Sequence, residues 1–295
     1  MPSDASDRPN ELLQHFGRDG LRLFDRASLI GTRLPAAAQA LLEETGVPRA
    51  VAPYFTATAE DRRVRLDAVA AQSSEPRPHE AMEAWPRVGF DGLAHLCVRT
   101  DGAVQGVVLG TGADDMFVNT DVSTFGASLM MLDRALPLIA SATALPQAAG
   151  VFRDLNAQLR QIDAAAFAER ESWWPRVLDD IRHTLNFPFS AAFEYIDATG
   201  AKQVETAATG PGSPHPEEIV WQRLAQDGVE PRQVTRVYCE LEPCTMPGHY
   251  CAVWLQRTFP EAKFTHSFDY GDTAESREEG LKALITHAAK ESRRG

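Results

Sequence analysis

Three of the four cysteines fall between positions 239 and 251, and the triplet His215-Pro216-Glu217 stands a short distance upstream. No other feature constrains the fold as tightly, because imidazole and thiol groups spread over that length meet only if particular element ends converge. Pro216 suits the first position of a helix, so it fixes where that helix starts and aims the flanking side chains at one end. The run 234–240 reads as a strand, and Pro243-Cys244 follows its carboxyl end, where layered α/β sheets assemble their sites. Cys251 opens the next helical stretch. His215, Cys244 and Cys251 so placed supply three ligands of a tetrahedral Zn2+, with the fourth position left for water. Zinc lowers the pKa of such a water towards neutrality, and helix N-termini favour thiolates. Glu217, two residues from the histidine, is placed to move protons in catalysis.

Other residues near this triad admit more than one reading. Cys239, Cys244, Cys251 and His249 would make a closed structural zinc with no open position. Against this, Cys239 lies on the expected strand and reads as a small core residue. His249 is expected to line a substrate pocket, and His266 to be a paired or core histidine. Glu240 and Glu242 read as capping and solubility residues, or as acceptors for a ring amino group or ribose hydroxyl.

The chain around the triad has a regular rhythm. Strands are expected at 189–196 and 203–208 around the turn Asp197-Ala198-Thr199-Gly200, then a helix over 216–226 and the strand 234–240. A helix over 251–258, a strand over 262–269 and a helix over 276–289 follow. Strands alternating with single helices imply an α/β layered sheet with at least one parallel pair. Upstream, residues 1–11 read as a disordered tail, 35–44 as a helix and 56–82 as a region that includes a mobile loop. Thr100-Asp101-Gly102 marks a hairpin between 93–99 and 105–109, with a third strand at 115–119. Helices are expected from 122 to 138 and onward through Phe152, Leu155 and Leu159. Trp173, Val177, Ile181 and Leu185 recur every four residues, and the tryptophan pair Trp173-Trp174 is expected to pack at a domain junction. Asn186-Phe187-Pro188 closes that helix, because the residue before a proline is pushed out of the helical region, near a boundary at 165–187.

The constellation H-x-E followed by P-C and a second cysteine resembles the signature of the zinc deaminases of bases, nucleosides and nucleic acids. Val237-Tyr238-Cys239-Glu240-Leu241-Glu242-Pro243-Cys244, Phe259-Pro260 and Ser267-Phe268-Asp269-Tyr270-Gly271 are similar to deaminase domains of bacterial polymorphic toxin systems. The sequence departs from the pattern twice. Six residues rather than two separate Cys244 from Cys251, and proline stands between His215 and Glu217. The resemblance implies hydrolytic deamination of a nucleobase in a nucleotide or nucleic acid. Nearer the N-terminus, His15-Phe16-Gly17-Arg18-Asp19-Gly20-Leu21, Phe90-Asp91-Gly92 and Phe117-Val118-Asn119-Thr120-Asp121 resemble the fourth branch of the SUKH superfamily of immunity proteins. That likeness implies an α+β domain, a sheet with helices, that binds and neutralises a protein toxin. The expected domains are therefore 12–180, immunity-like, and 186–290, deaminase-like.

Composition narrows the partners. An apolar share of 44% supports a real core, and a net charge of −12 with no basic stripe argues against a general binder of long nucleic acid. A nucleobase-containing small molecule or single strand fits better, as does a basic protein partner. No apolar run reaches membrane-spanning length and no signal-like core opens the chain, so a cytoplasmic location and no membrane partner are expected. The N-terminal part, up to about position 170, shows no catalytic constellation: Cys97 reads as core, and Asp114, Asp115 and Asp121 as surface acids. The alternative to an enzyme is an immunity or antitoxin protein whose deaminase-like domain is inactive.

Overall fold

The computed structural model describes residues 7–60, 62–110 and 115–291. They form two compact units, one built on Met1–Leu138 with Gly150–Leu178 and the other on Ile139–Ala149 with Asp179–Gly295. Asp114 and residues 1–6 of the expected tail lie outside the described residues.

In the first unit, helix α1 (Arg8–Phe16) precedes β1 (Leu21–Arg22), α2 (Ala36–Glu44) and β2 (Val47–Pro48), with β1 and β2 paired antiparallel. A six-stranded antiparallel meander follows in chain order: β3 (Ala50–Val51), β4 (Phe55–Ala57), then, after helix α3 (Leu66–Ser73), β5 (Arg87–Phe90), β6 (His95–Val98), β7 (Val104–Val107) and β8 (Met116–Asn119). Three long helices complete the run: α4 (Val122–Ala140), α5 (Leu145–Ile162) and α6 (Trp173–Asn186). The divisions between the units fall inside α4, α5 and α6. The hairpin expected at Asp101-Gly102 is present, with Gly102 at φ 93°, a conformation that glycine adopts without strain.

One expectation for this region is corrected. Residues 8–11 of the expected tail belong to α1, because Pro9 starts the helix and Leu12 is buried against the Cβ-free surface of Gly126. The stretch 56–82, expected to include a mobile loop, also carries α3, whose Leu66, Val69 and Ala70 are buried. Helix α4 is long and apolar enough by composition to cross a membrane, contrary to the sequence reading. However, 61% of that stretch is buried inside the protein, as in the core helix of a domain. Asp121 caps α4, its Oδ1 accepting the Thr124 N–H at 2.7 Å. Cys97 is fully buried in the sheet.

Trp173 and Trp174 are fully buried and stand edge to face. Each donates its indole N–H to a buried polar group, Trp173 to Asp91 Oδ2 and Trp174 to Asn119 Oδ1, both at 2.8 Å. Asp91 also accepts the Ala94 and Leu93 backbone N–H groups. The pair is therefore a polar anchor as well as a packing element.

The second unit follows the expected order closely. Strands β9 (Ser190–Ile196) and β10 (Lys202–Ala208) make a hairpin, then come α7 (Pro216–Gln226), β11 (Val234–Leu241), α8 (Cys251–Thr258), β12 (Lys263–Phe268) and α9 (Ala274–Glu291). The sheet order is β10-β9-β11-β12, and β11 and β12 run parallel, as the β-α-β rhythm required. Phe193, Val237, Leu255 and Phe259 are at the centre of its core. Gly280 is indispensable in α9: a Cβ there would sit 1.9 Å from the Asp269 carbonyl oxygen, so only glycine lets the helix seat the Asp269-Tyr270 backbone.

Trp173→Phe should leave the Asp91 carboxylate short of a buried donor. We expect about 2–3 kcal/mol of destabilisation, read as a lower urea midpoint for the transition of the N-terminal unit.

Candidate metal centre

His215 is the residue before α7, Pro216 occupies the first helical position, and Glu217 and Glu218 lie in the first turn. Glu218 reaches back to accept the His215 N–H at 2.8 Å. This is one half of a capping box, which fixes the start of the helix. Cys244 follows β11. The six residues after it fold into a tight turn, with the His249 and Tyr250 N–H groups donating to the Met246 carbonyl and Met246 buried in the core. Tyr250 takes a left-handed conformation at φ 45°, and Cys251 begins α8. The lengthened spacing thus closes on itself and returns Cys251 to the side of Cys244, where the Ala252 N–H donates to the Cys244 carbonyl.

The result is a buried cluster. His215 Nδ1 lies 3.4 Å from Cys244 Sγ and 3.5 Å from Cys251 Sγ. Bond lengths of about 2.3 Å to sulfur and 2.0–2.1 Å to nitrogen in a tetrahedral zinc site require an N···S edge of about 3.6 Å, so the donor set fits that ion. All three side chains are buried, and the N-termini of α7 and α8 meet at the same place, where helix dipoles favour negative charge. Burial pushes the Cys244 thiol up, but its hydrogen bond with Cys251 and the His215 charge outweigh this and hold it well below the usual thiol range. Burial, reinforced by the Cys244 neighbour, keeps Cys251 above that range.

On its other edge, His215 Nε2 stands 3.0 Å from Asp180 Oδ1, an ion-pair contact to a carboxylate that is 2% exposed. Carboxylate–histidine contacts of this kind fix the ring so that the remaining nitrogen faces a metal. Sequence reasoning missed Asp180. The signal was there, since an aspartate on the buried face of an amphipathic helix needs a partner. His249 is not among the residues that line the small cavity beside Glu217. It stacks on His215 at 3.8 Å between centroids, with Nδ1 on Glu218 at 2.7 Å and Nε2 on Asp180 at 3.3 Å. Burial and the His215 charge lower its pKa, but the two carboxylates prevail and lift it to about 9. Asp180, His215 and His249 form a second grouping with metal-ligand reach, sharing His215 with the first.

Glu217 is 3% exposed and faces the same small cavity as His215 and Cys244. Its Oε2 has no hydrogen-bond partner among the described residues, and burial raises its pKa above the usual carboxylate value. The four-ligand alternative is not assembled: Cys239 is absent from both buried metal-capable groupings among the described residues, and it packs within the sheet core. His266 is paired, its Nε2 3.0 Å from Asp269. Glu240 serves the sheet, accepting the Ser190 N–H and hydroxyl. Glu242 accepts the Tyr270 and Gly271 N–H groups and lines the cavity.

That cavity is lined by Asp180, His183, Phe189, Leu241 and Tyr270 besides the residues above, and it holds only about 10 Å³ of free space. A single water needs about that much. The Tyr270 hydroxyl hydrogen-bonds His183 Nδ1 across it. Burial, with the Arg182 charge second, pushes the His183 imidazole down to about 3.

Comparison with known families agrees with this division. Residues 8–180, more than half of the chain, match the SUKH-4 immunity protein family, and the chain belongs to that family. Residues 188–287 match the Xanthomonas-like deaminase family. The two matches together make this a two-domain toxin-system protein, an immunity domain followed by a deaminase-family domain. No curated protein and no solved structure matches the chain.

His183 gives a pH test of this packing. Its folded pKa lies below the ordinary value of about 6.5, so between these two values the unfolded chain takes up a proton that the native chain does not. Stability is complete above about pH 6.5 and falls on acidification by up to about 1.4 kcal/mol per pH unit. His183→Gln retains an acceptor for the Tyr270 hydroxyl and cannot titrate. Its stability loss between about pH 6.5 and 5 should be smaller than wild type by about 2 kcal/mol in urea unfolding.

Proposed function

We propose that the deaminase-family domain is a zinc-dependent hydrolytic deaminase in which His215, Cys244 and Cys251 hold the metal and Glu217 moves protons. The observation that carries this reading is the convergence of one imidazole nitrogen and two sulfurs at tetrahedral spacing beside a buried carboxylate oxygen with no partner among the described residues. Zinc, when bound, supplies a Lewis acid that makes water nucleophilic near neutral pH. Asp180 holds His215 in register for it. Glu217, with its pKa raised by burial, is suited to carry one proton of the attacking water to the ring nitrogen and the second to the departing amine. The chemistry replaces the exocyclic amino group of an amidine carbon by oxygen, with ammonia released. The substrate class is a cytosine- or adenine-type base in a nucleotide or a single strand, since an acidic chain without a basic stripe is poorly suited to long duplexes.

The N-terminal domain is proposed to bind a protein toxin, the whole chain's net charge of −12 favouring a basic partner. Four cysteines, all with free thiols, fit a reducing cytoplasm. One observation favours a second reading, an immunity protein whose deaminase-like domain has kept its metal centre without turnover: the cavity beside Glu217 is far too small for a base.

Ammonia release against bases, nucleosides, nucleotides and single strands, with zinc quantified in the same sample, separates the two. Glu217→Gln should keep one zinc per chain and lose activity by about 10²–10⁴-fold; activity that survives the change removes Glu217 from the chemistry. His215→Ala should lose the metal altogether in elemental analysis. Asp180→Asn should retain the fold and weaken zinc by about 10–100-fold in a chelator competition, as loss of a carboxylate behind a ligating histidine does.

A further inference from the structure

The N-terminal domain contains a second polar cavity, of about 290 Å³, lined by residues of β4, β5, β6 and the turn after α3. Its floor is His95, 2% exposed, whose Nε2 lies 3.0 Å from Glu75. Ser74, left-handed at φ 56°, ends α3 and turns Glu75 back to reach that ring. Arg87 of β5 forms the wall. Its Nη1 lies 3.4 Å from His95 Nδ1. That arrangement uses the imidazole as acceptor from arginine and donor to glutamate, and so keeps it neutral.

Arg87 is the anomaly. It is half-buried, and among the described residues no carboxylate lies within ion-pair distance of it. Its Nε is sealed from solvent with no acceptor among the described residues. Buried guanidinium groups are ordinarily paired, because burying an unpaired charge costs several kcal/mol. Burial accordingly pulls the Arg87 pKa down. Arg62 stands at the same cavity, and Glu75 is the cavity's one lining carboxylate among the described residues. Phe90 and Ala57 add apolar lining, and Thr56 and Ser73 line the cavity as well.

We propose that this cavity is a binding site for a small oxyanion-bearing ligand, with Arg87 as the principal donor and Arg62 at the mouth. A guanidinium presents forked donors that match carboxylate and phosphate oxygens alike. The volume, at the low end for small-molecule sites, suits a compact metabolite rather than a polymer. The site is independent of the metal centre and of its chemistry.

Calorimetric titration of the full-length chain with inorganic phosphate and, separately, with acetate tests the proposal and distinguishes the two sources of oxyanion. One saturable site per chain is expected for at least one of them. Arg87→Gln should weaken it at least tenfold, while Glu75→Gln, which removes the opposing charge at a partly exposed position, should tighten it severalfold. Absence of saturable binding to the folded wild-type chain, or an affinity unaffected by Arg87→Gln, overturns the site. Should Arg87→Gln fail to fold, Glu75→Gln decides alone: tighter binding supports the site, and unchanged or weaker binding overturns it.

Discussion

The His215 imidazole is held from both edges, with two cysteine sulfurs on Nδ1 and the Asp180 carboxylate on Nε2, and the second unit is arranged to make that possible. Three elements must end at one point: α7 begins there, the turn after β11 delivers Cys244, and α8 begins there with Cys251. The parallel pairing of β11 and β12 places α8 as the crossover between them, which is why its first residue returns to the carboxyl edge of the sheet. Burying so many ionisable groups is costly, and each member offsets its neighbour's desolvation. Asp180 faces two imidazoles, Glu218 ties His249 to the His215 backbone, and the His249 ring covers that of His215. Removing any one leaves an uncompensated group in an interior that cannot solvate it.

Legibility in the sequence tracked how local the cause was. The order of elements in the second unit followed from alternation, turns and proline positions. The bounds of α7 and α8 agree with the structure because Pro216 and the residues around Cys251 act within one turn. The convergence of His215, Cys244 and Cys251 was legible for the same reason, each sitting at an element end. Asp180 was not, because its role depends on α6 reaching a site whose ligands lie far along the chain; its helix announced itself only through Trp173, Val177 and Ile181. The stacking of His249 on His215 was not legible either, because it depends on how the turn at Met246 folds, which no periodicity encodes. In the first unit, α1 and α3 were lost among charge, serine and proline. Short helices that bury few side chains leave a weak pattern.

In the proposed reaction, Tyr270 is one of the side chains that occupy the place a base would need. Its backbone is fixed by Glu242, which accepts two successive N–H groups, and by Gly280, against which Asp269 rests. Its ring and hydroxyl, held by His183, fill the space beside Glu217. Were that side chain to rotate out about a fixed backbone to admit a base, it would lose its burial and its hydrogen bond. Those two losses amount to about 3 kcal/mol, which leaves roughly 1% of molecules open or fewer. An open fraction of that size raises the apparent dissociation constant of any substrate by about a hundredfold, unless the substrate itself replaces what Tyr270 gives up. A flat aromatic base with a hydrogen-bonding edge can do so, by stacking where the phenol ring lay and by meeting His183 or Glu242. Closure of this kind therefore selects for ligands that resemble the plug they displace.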